Sequence, residues 1–570
     1  MSVKDFKIQR LRLRSCLFLF VVSILSRCRA FTIPKLHFLQ QSSGRKMVKP
    51  CKARAHVERD VKAFWPSATE DDAKPDGEDD YDLRNVLDSI LKIHCTHSEP
   101  DFLIPWQRQH QSTSTSSGFV IEIGTEGGEK KRRVMTNAHS VDYGSIIQVQ
   151  RRGQSEKYQA RIEAQANECD LALLEVEDES FWEGLEPLNF GDLPMLQDEV
   201  EVLGYPTGGD SLSVTKGVVS RIELQEYTQA TSFLLAMQID AAINSGNSGG
   251  PVVNEDRKIV GVAFQGLEGA ENIGYVVPVT VVQHFLEDIQ RHGRYTGFCT
   301  FGISYYMLEN ASFRRSLGMK DGMSGVRIGS VDPTAASLNI LQKNDVILEI
   351  DGISLGNDGK VPYRPGERVA MNCYLHTKFD GDFVSVKLLR DGEIFENVRV
   401  PVSIQRRLVP AHFQNQPPPY VVVAGLVFTV LSIPYLYAYD AWADYVSDKI
   451  CYLLNHVDKP LEKSTDQMIV LTQVLAHPKN LGYDKLQDLH LKKINGKDVK
   501  SLQHFRQLLS DCQDEYIRLE LAPDDYCIVL ERASMDQITK EVCEEHFISK
   551  DYVLRSNADS SAIDCTVNGS

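Results

Sequence analysis

The phrase Asn244-Ser-Gly-Asn-Ser-Gly-Gly-Pro251 is the part of this 570-residue chain best suited to chemistry. A nucleophilic serine must stand on a tight turn, where its own N–H and a neighbouring one point into a common hole. Gly246 and Ser248 are spaced for this, and glycine tolerates the backbone geometry. The two N–H groups would hold the oxyanion of a tetrahedral intermediate in acyl transfer. The plainer alternative is a glycine-rich loop. Because a serine hydroxyl is inert without a base, the chemical reading demands a histidine and a carboxylate elsewhere. His139 ends the apolar segment Val134-Met-Thr-Asn-Ala-His139, and Asp170 opens Asp170-Leu-Ala-Leu-Leu. His139 would take the Ser248 proton and return it to the leaving amine, while Asp170 would fix the imidazole tautomer and stabilise the imidazolium. Alone, each is more simply a structural residue; the order His, Asp, Ser gives them weight together.

These residues need strands to hold them. From Val86 onward, short apolar runs alternate with Gly, Asn and Asp turns: Gly118-Phe-Val-Ile, Ile146-Ile-Gln-Val, Leu171-Ala-Leu-Leu and Glu199-Val-Glu-Val-Leu. That pattern predicts a many-stranded antiparallel barrel or sandwich. Val281 to Arg291 has apolar spacing near the helical period and predicts a closing helix. Further on, Asp345-Val-Ile-Leu-Glu-Ile-Asp-Gly352 and Leu491-Lys-Lys-Ile-Asn-Gly-Lys-Asp-Val499 carry a similar phrase, a strand turning sharply at Asp-Gly or Asn-Gly, and read as two copies of one small module. Tyr420 to Tyr439 holds no charged residue and is long enough to span a bilayer. Pro434, Gly425 and its Tyr, Thr and Ser positions favour buried strands instead.

The length allows roughly three to four domains. A formal net charge of -16 argues against a surface that neutralises phosphates, so nucleic acid is not an expected partner. The 12 cysteines show no CxxC pair and no Cys/His spacing of a metal site, so reduced structural thiols are expected, with no metal and no cofactor. Between Met1 and His56 the only acidic residue is Asp5, which marks residues 1–58 as a basic targeting leader. Its apolar run Cys16 to Leu25 leaves a secretory signal open, but the arginines on both sides favour organellar import. Residues 59–84, acidic around Glu70 to Asp80, are expected to be a linker.

Thr136-Asn-Ala-His139, Asp170-Leu-Ala-Leu-Leu, Gly204-Tyr-Pro-Thr-Gly-Gly209, Val214-Thr-Lys-Gly-Val-Val-Ser220 and Gly246-Asn-Ser-Gly-Gly-Pro251 together resemble the trypsin-like domain of the HtrA/Deg (protease Do-like) family. The resemblance implies a mainly β fold: a double β-barrel serine protease domain over 85–294, a PDZ domain over 295–403, a divergent PDZ-like α+β module over 415–540 and a tail over 541–570. It implies His139 as general base, Asp170 as orienting acid, Ser248 as nucleophile, and the Gly246 and Ser248 N–H groups as oxyanion hole. Ser245 stands where the family often has proline, and Ser140 where a small apolar residue usually follows the histidine. Phe264 to Pro278 resembles the wall of the primary specificity pocket and has no acid at an obvious base, which implies cleavage after small or aliphatic residues. In Gly297-Phe-Cys-Thr-Phe-Gly-Ile303, which resembles a carboxylate-binding loop, Gly297, Phe298, Gly302 and Ile303 are the implied peptide-binding residues, with the peptide added as an extra strand. Gly425-Leu-Val-Phe428 resembles the same loop in the second module, where an insertion makes assembly as good a role as peptide capture. Leu103-Ile-Pro-Trp-Gln107, Gly269-Ala-Glu-Asn-Ile-Gly274 and the basic leader look most like the plant organellar branch, mitochondrial ahead of chloroplast. The family implies ATP-independent digestion of unfolded or damaged polypeptides by a homo-oligomer of trimers or larger cages. A chaperone-like binder with minor proteolysis is the alternative.

Overall fold

The computed structural model describes residues 83–124, 130–227, 232–266, 273–438 and 447–555. The contacts given below lie within one compact unit that holds all of these except 362–368. The expected leader, the expected linker up to residue 82, and the expected tail from residue 556 lie outside the described residues.

Twelve strands form two closed barrels. Six of them, β1 (Ile90–His97), β2 (Ser112–Gly124), β3 (Lys130–Thr136), β4 (Gly144–Gln150), β5 (Lys157–Ala166) and β6 (Leu171–Glu175), close in the order β1-β2-β3-β6-β5-β4. The others, β7 (Glu199–Gly204), β8 (Ser213–Tyr227), β9 (Ser232–Ile239), β10 (Pro251–Val253), β11 (Ile259–Gly266) and β12 (Gly274–Pro278), close as β10-β11-β12-β9-β8-β7. Closure leaves no free sheet edge. Period-2 alternation sends Leu91, Ile93 and Cys95 of β1 into the first core with Val120, Val134, Leu174 and Phe181. Val202, Val219, Met237, Ile239 and Val276 fill the second. Each fully buried aliphatic side chain contributes roughly 1.5–3 kcal/mol relative to exposure.

Helix α1 (Val279–His292) follows, and it buries Val279, Val282 and Phe285. It stops at Gly293, whose φ of 66° is left-handed, with Arg291 and His292 complementing the carbonyl end. Asp288, fully buried on α1, accepts from Thr296 Oγ1 at 2.7 Å, from His292 Nδ1 at 2.8 Å and from the Thr296 N–H. One carboxylate thereby sets the direction in which the chain enters the next module.

That module has a sheet in the order Ile303–Met307, Val326–Val331, Val346–Ile350, Phe383–Arg390, Glu393–Pro401, with a short helix at Met371–Leu375. Ile303–Met307 is an outer strand, paired on one side to Val326–Val331. In the last module the sheet runs Tyr526–Glu531, Tyr516–Ala522, Leu489–Ile494, Ile469–Val474, Leu426–Val430, Tyr420–Val423, Tyr552–Val553. Its outermost strand, Tyr552–Val553, and the helix Arg532–Glu545 carry this module past the limit expected at residue 540. The sequence hid this because a two-residue strand has no period to read.

The uncharged run is resolved here. Tyr420–Val423 and Leu426–Val430 form a hairpin across Ala424 and Gly425, at φ 48° and 85°, and a short helix, Ile433–Tyr437, follows. Two successive left-handed residues are what a two-residue hairpin turn of type I′ requires. No helix among the described residues is long and apolar enough to cross a membrane. The likeness of Gly425 to Phe428 to a carboxylate-binding loop does not hold in space, because Leu426–Val430 is paired on both sides and the Asn480 amide donates to the Ala424 carbonyl at 2.7 Å.

The connection into this module is fastened to the first barrel. Phe413 stacks on Phe102 at 6.3 Å, and Tyr420 meets Trp106 edge-on at 5.9 Å. Asn415 accepts from the Tyr143 N–H at 2.8 Å and donates to Gln165 Oε1 at 2.6 Å. The Leu103 to Gln107 segment presents its tryptophan here, on a turn that Asp101 holds through the Leu103 and Ile104 N–H groups, each at 2.9 Å.

Candidate active site

The register of β3 against β6 sets Thr136 opposite Ala172 and Met135 opposite Leu173. The residue just before β6 therefore lies beside the turn that follows β3, and this brings Asp170 to His139 from 31 positions away. Asp170 takes a left-handed φ of 54°, which an aspartate tolerates better than most residues. Both of its oxygens serve His139: Oδ2 accepts from the ring Nδ1 at 2.7 Å and Oδ1 from the backbone N–H at 2.9 Å. The Asn137 amide donates to the Asp170 carbonyl at 2.8 Å and pins the carboxylate's own backbone. Asp170 is 1% exposed and His139 27%, so the acid lies behind the ring and the ring faces outward.

A carboxylate on Nδ1 fixes the proton there and leaves Nε2 as an acceptor. Burial pulls the imidazole pKa down, but the charge and the hydrogen bond of Asp170 outweigh it and raise the net value above the ordinary 6.5. A second acid stands nearby. Burial and repulsion from Asp170 push the Asp142 carboxyl up to about 7, against the pull of His139 and the amides of Gln165 and Asn167. Sequence reading missed Asp142; its only signal is an acid three residues past the histidine.

Ser248 sits on the turn between β9 and β10, partly exposed. Gly249, at φ 83°, lets that turn press against the first barrel, since a Cβ there would collide with the Ser117 carbonyl and Thr136 Oγ1. The turn that carries Ser248 thus abuts the segment that ends in His139. The Gly249 N–H donates to the Ala263 carbonyl at 2.8 Å, and the Ala263 N–H to the Gly250 carbonyl at 3.0 Å, anchoring the turn to β11. Ser248 Oγ is directed at the Phe264 carbonyl, 3.4 Å away, and among the described residues it has no hydrogen bond to His139. The N–H groups of Gly246 and Ser248 have no hydrogen-bond partner among the described residues.

On the pocket side, Phe264 stacks on the fully buried Tyr227 at 4.7 Å, and Ile243 lies against Gly274. Residues 267–272 of the expected pocket wall, Glu268 and Glu271 included, lie outside the described residues.

The four implied peptide-binding residues divide into two pairs. Gly297 and Phe298 belong to the junction with α1: the Gly297 N–H reaches Asp288 at 3.3 Å, and Phe298 stacks on His284 at 4.6 Å. Gly302 and Ile303 stand at the head of the outer strand Ile303–Met307, where Gly302 donates to Thr300 Oγ1 at 3.0 Å. The junction also reaches the acid loop, for the Tyr295 hydroxyl donates to Glu168, two residues before Asp170, at 2.9 Å. Burial pushes the Glu168 carboxyl up, opposed by that hydroxyl and the Phe298 N–H.

Residues 116–262 match the trypsin-like peptidase domain family, and residues 409–554 match a PDZ domain family. The chain is similar to Protease Do-like 2, chloroplastic, of Arabidopsis thaliana, with 40% identity over 482 residues that cover 84% of this chain and 76% of that protein. It is 35% identical over 520 residues to Putative protease Do-like 3, mitochondrial, of the same plant, covering 90% and 89% of the two chains. It is 39% identical over 464 residues to its Protease Do-like 4, mitochondrial, covering 81% and 84%. With two closed barrels and matches that span most of its length, the chain belongs to the HtrA/Deg (protease Do-like) family of serine endopeptidases.

Proposed function

We propose that this chain hydrolyses unfolded or damaged polypeptides without ATP, Ser248 attacking the peptide carbonyl with His139 as general base and Asp170 as its orienting acid. The observation that carries this reading is the double hydrogen bond from His139 to a buried Asp170, which leaves Nε2 free to accept a proton. Rotation of the Ser248 side chain about χ1, a picosecond-to-nanosecond motion, turns its hydroxyl from the Phe264 carbonyl toward the ring. Attack then places negative charge on the substrate oxygen, which the unpartnered N–H groups of Gly246 and Ser248 receive. His139, now an imidazolium held by Asp170, gives its proton to the leaving amine, and water repeats the sequence on the acyl-enzyme.

Extended clients would add to the outer strand Ile303–Met307, with Gly302 and Ile303 at its head. The basic leader, and relatives named as mitochondrial and chloroplastic, support an organellar site, with the mitochondrion as our assignment. Assembly into trimers or larger oligomers belongs to the same proposal. A second reading, a peptide binder with little proteolysis, is favoured by the serine hydroxyl facing away from its base.

The test is digestion of unfolded β-casein by the protein and by Ser248→Ala, without ATP or added metal. Cleavage by the parent alone, blocked by a serine-directed covalent inhibitor, supports the endopeptidase. Equal cleavage by both would sink the assignment of Ser248. Casein binding with no cleavage by either supports the second reading.

A further inference from the structure

An oxyanion hole made of backbone N–H groups works only if its peptide planes are held. In a trans peptide the C=O and the following N–H point in opposite directions, so a hydrogen bond on one fixes the other. The Ser245 carbonyl accepts from the Thr207 N–H at 2.6 Å, which turns the Gly246 N–H the opposite way. The Asn247 carbonyl accepts from the Gly250 N–H at 2.9 Å, which does the same for the Ser248 N–H. Between these planes lies the peptide joining Gly246 to Asn247, and its carbonyl accepts from Ser117 Oγ at 2.7 Å.

Ser117 belongs to β2, in the other barrel, and is fully buried. Its hydroxyl donates to Gly246 and accepts from the Tyr205 N–H at 2.8 Å, so its direction is settled at both ends. Its N–H donates to the Ser248 carbonyl at 2.9 Å, and its carbonyl accepts from Thr136 Oγ1 at 2.8 Å. One residue thus touches both ends of the nucleophile turn, the segment leading to His139, and the loop two positions before Thr207. The packing leaves room for little else, since a Cβ on Gly204 would stand 2.8 Å from Ser117 Oγ.

We propose that Ser117 is the positioning residue of the oxyanion hole: its hydroxyl ties the Gly246 carbonyl to the Tyr205 N–H and so keeps the Gly246 and Ser248 N–H groups directed at the reacting carbonyl. Without that tie, the middle peptide is free to rotate and the loop carrying Thr207 loses one of its fastenings. The Ser245 carbonyl can then turn into the hole that the Gly246 N–H should line. This rests on the assignment of Ser248 as nucleophile made above.

The experiment compares the full chain with Ser117→Ala and Ser117→Cys on a fluorogenic peptide, beside Ser248→Ala. Direct loss of an oxyanion donor costs about 100-fold to 1,000-fold in kcat; Ser117 acts one bond removed, so Ser117→Ala should lose about 10-fold to 100-fold. KM should stay within about twofold, because the ground-state carbonyl barely uses the hole. Affinity for a peptide boronate, which forms a tetrahedral adduct, should fall in step with kcat, while affinity for the product peptide should not change. The pH midpoint of kcat/KM should also hold, since the His139–Asp170 pair is untouched. The cysteine variant keeps a donor at this position, weaker and on a larger atom, and should fall between parent and alanine; it decides the matter if the alanine variant does not fold. A cysteine or alanine variant with parental kcat and boronate affinity overturns the proposal, as does a loss confined to KM. If Ser248→Ala still cleaves, the nucleophile assignment has failed instead.

Discussion

Asp170→Asn offers the sharpest test of the site. Each carboxylate oxygen accepts one hydrogen bond from His139, at 2.7 Å from Nδ1 and 2.9 Å from the backbone N–H. Asparagine has one acceptor, so its amide group must face either the ring or the backbone donor. Facing the ring, it donates to Nδ1 and forces the proton onto Nε2, where the imidazole cannot act as a base. The charge is lost as well: an imidazolium and a carboxylate about 4 Å apart attract by about 4 kcal/mol at an effective dielectric constant of about 20. A charge-assisted hydrogen bond adds about 1.5–3 kcal/mol. Together these predict a kcat loss of about 10⁴-fold to 10⁵-fold, or about 5.5–7 kcal/mol. The pH profile supplies a second reading. Asp170 raises the His139 pKa, and the base works only when neutral, so the parent's rate should rise through a midpoint above 6.5. The residual activity of Asp170→Asn should rise through a lower midpoint. Fold stability follows the same sign: the contribution of a proton-favouring His139 is complete below pH 6.5 and lost as pH climbs past its raised value. A fluorogenic peptide assayed from pH 5.5 to 10 reads the kinetic quantities, and a kcat loss under tenfold with an unmoved midpoint would refute the reasoning.

Three further perturbations probe the surroundings. Lys92→Met removes the amine that reaches from β1 to the Gly209 carbonyl at 3.0 Å and to Asp210 at 2.6 Å, loosening the loop whose Thr207 N–H orients Ser245; kcat should fall about 3-fold to 10-fold. Asp210→Asn should fall less, because the Gly209 contact survives. Asp142→Asn replaces an acid held at about 7, whose stabilising contribution is lost as pH rises through that value, so the variant should gain about 2–4 °C in Tm relative to the parent between pH 5 and pH 8. Tyr295→Phe strips a donor from the buried Glu168 and should cost about 1–3 kcal/mol, more at pH 8 than at pH 5, in denaturant unfolding followed at both pH values.

The parts of this fold that sequence showed best are those written in short, continuous phrases. Val134 to His139 and Asp170 to Leu174 are a strand end and a strand start, and the register between them follows from burying the apolar face of each. Ser117 was invisible for the opposite reason. Serine is common, it precedes an ordinary strand phrase, and its partner at Gly246 lies 129 residues away in another barrel. Asn415 likewise reaches Gln165 across 250 residues. The glycine-containing phrase of the last module misled because the left-handed turn it favours serves a hairpin, as at Ala424 and Gly425, as readily as a binding loop. Gly297 and Phe298 were drawn toward α1 by Asp288 and His284, contacts between distant segments that no local pattern records.

The hairpin at Tyr420 to Val430 also bears on which module takes up clients. A short strand joined by a two-residue turn is present at its partner at an effective concentration of millimolar or more, and it pays no entropy of association. Here the side chains of Tyr420, Val421, Val422 and Val423 are all buried, so a free peptide competing for that edge of Leu426–Val430 would have to displace a ligand the chain carries permanently. The strand edge proposed for clients, Ile303–Met307, has no such resident among the described residues. On the proposed reading, clients are taken up at Ile303–Met307 of the first C-terminal module and not at the matching strand Leu426–Val430 of the second, whose edge is already filled.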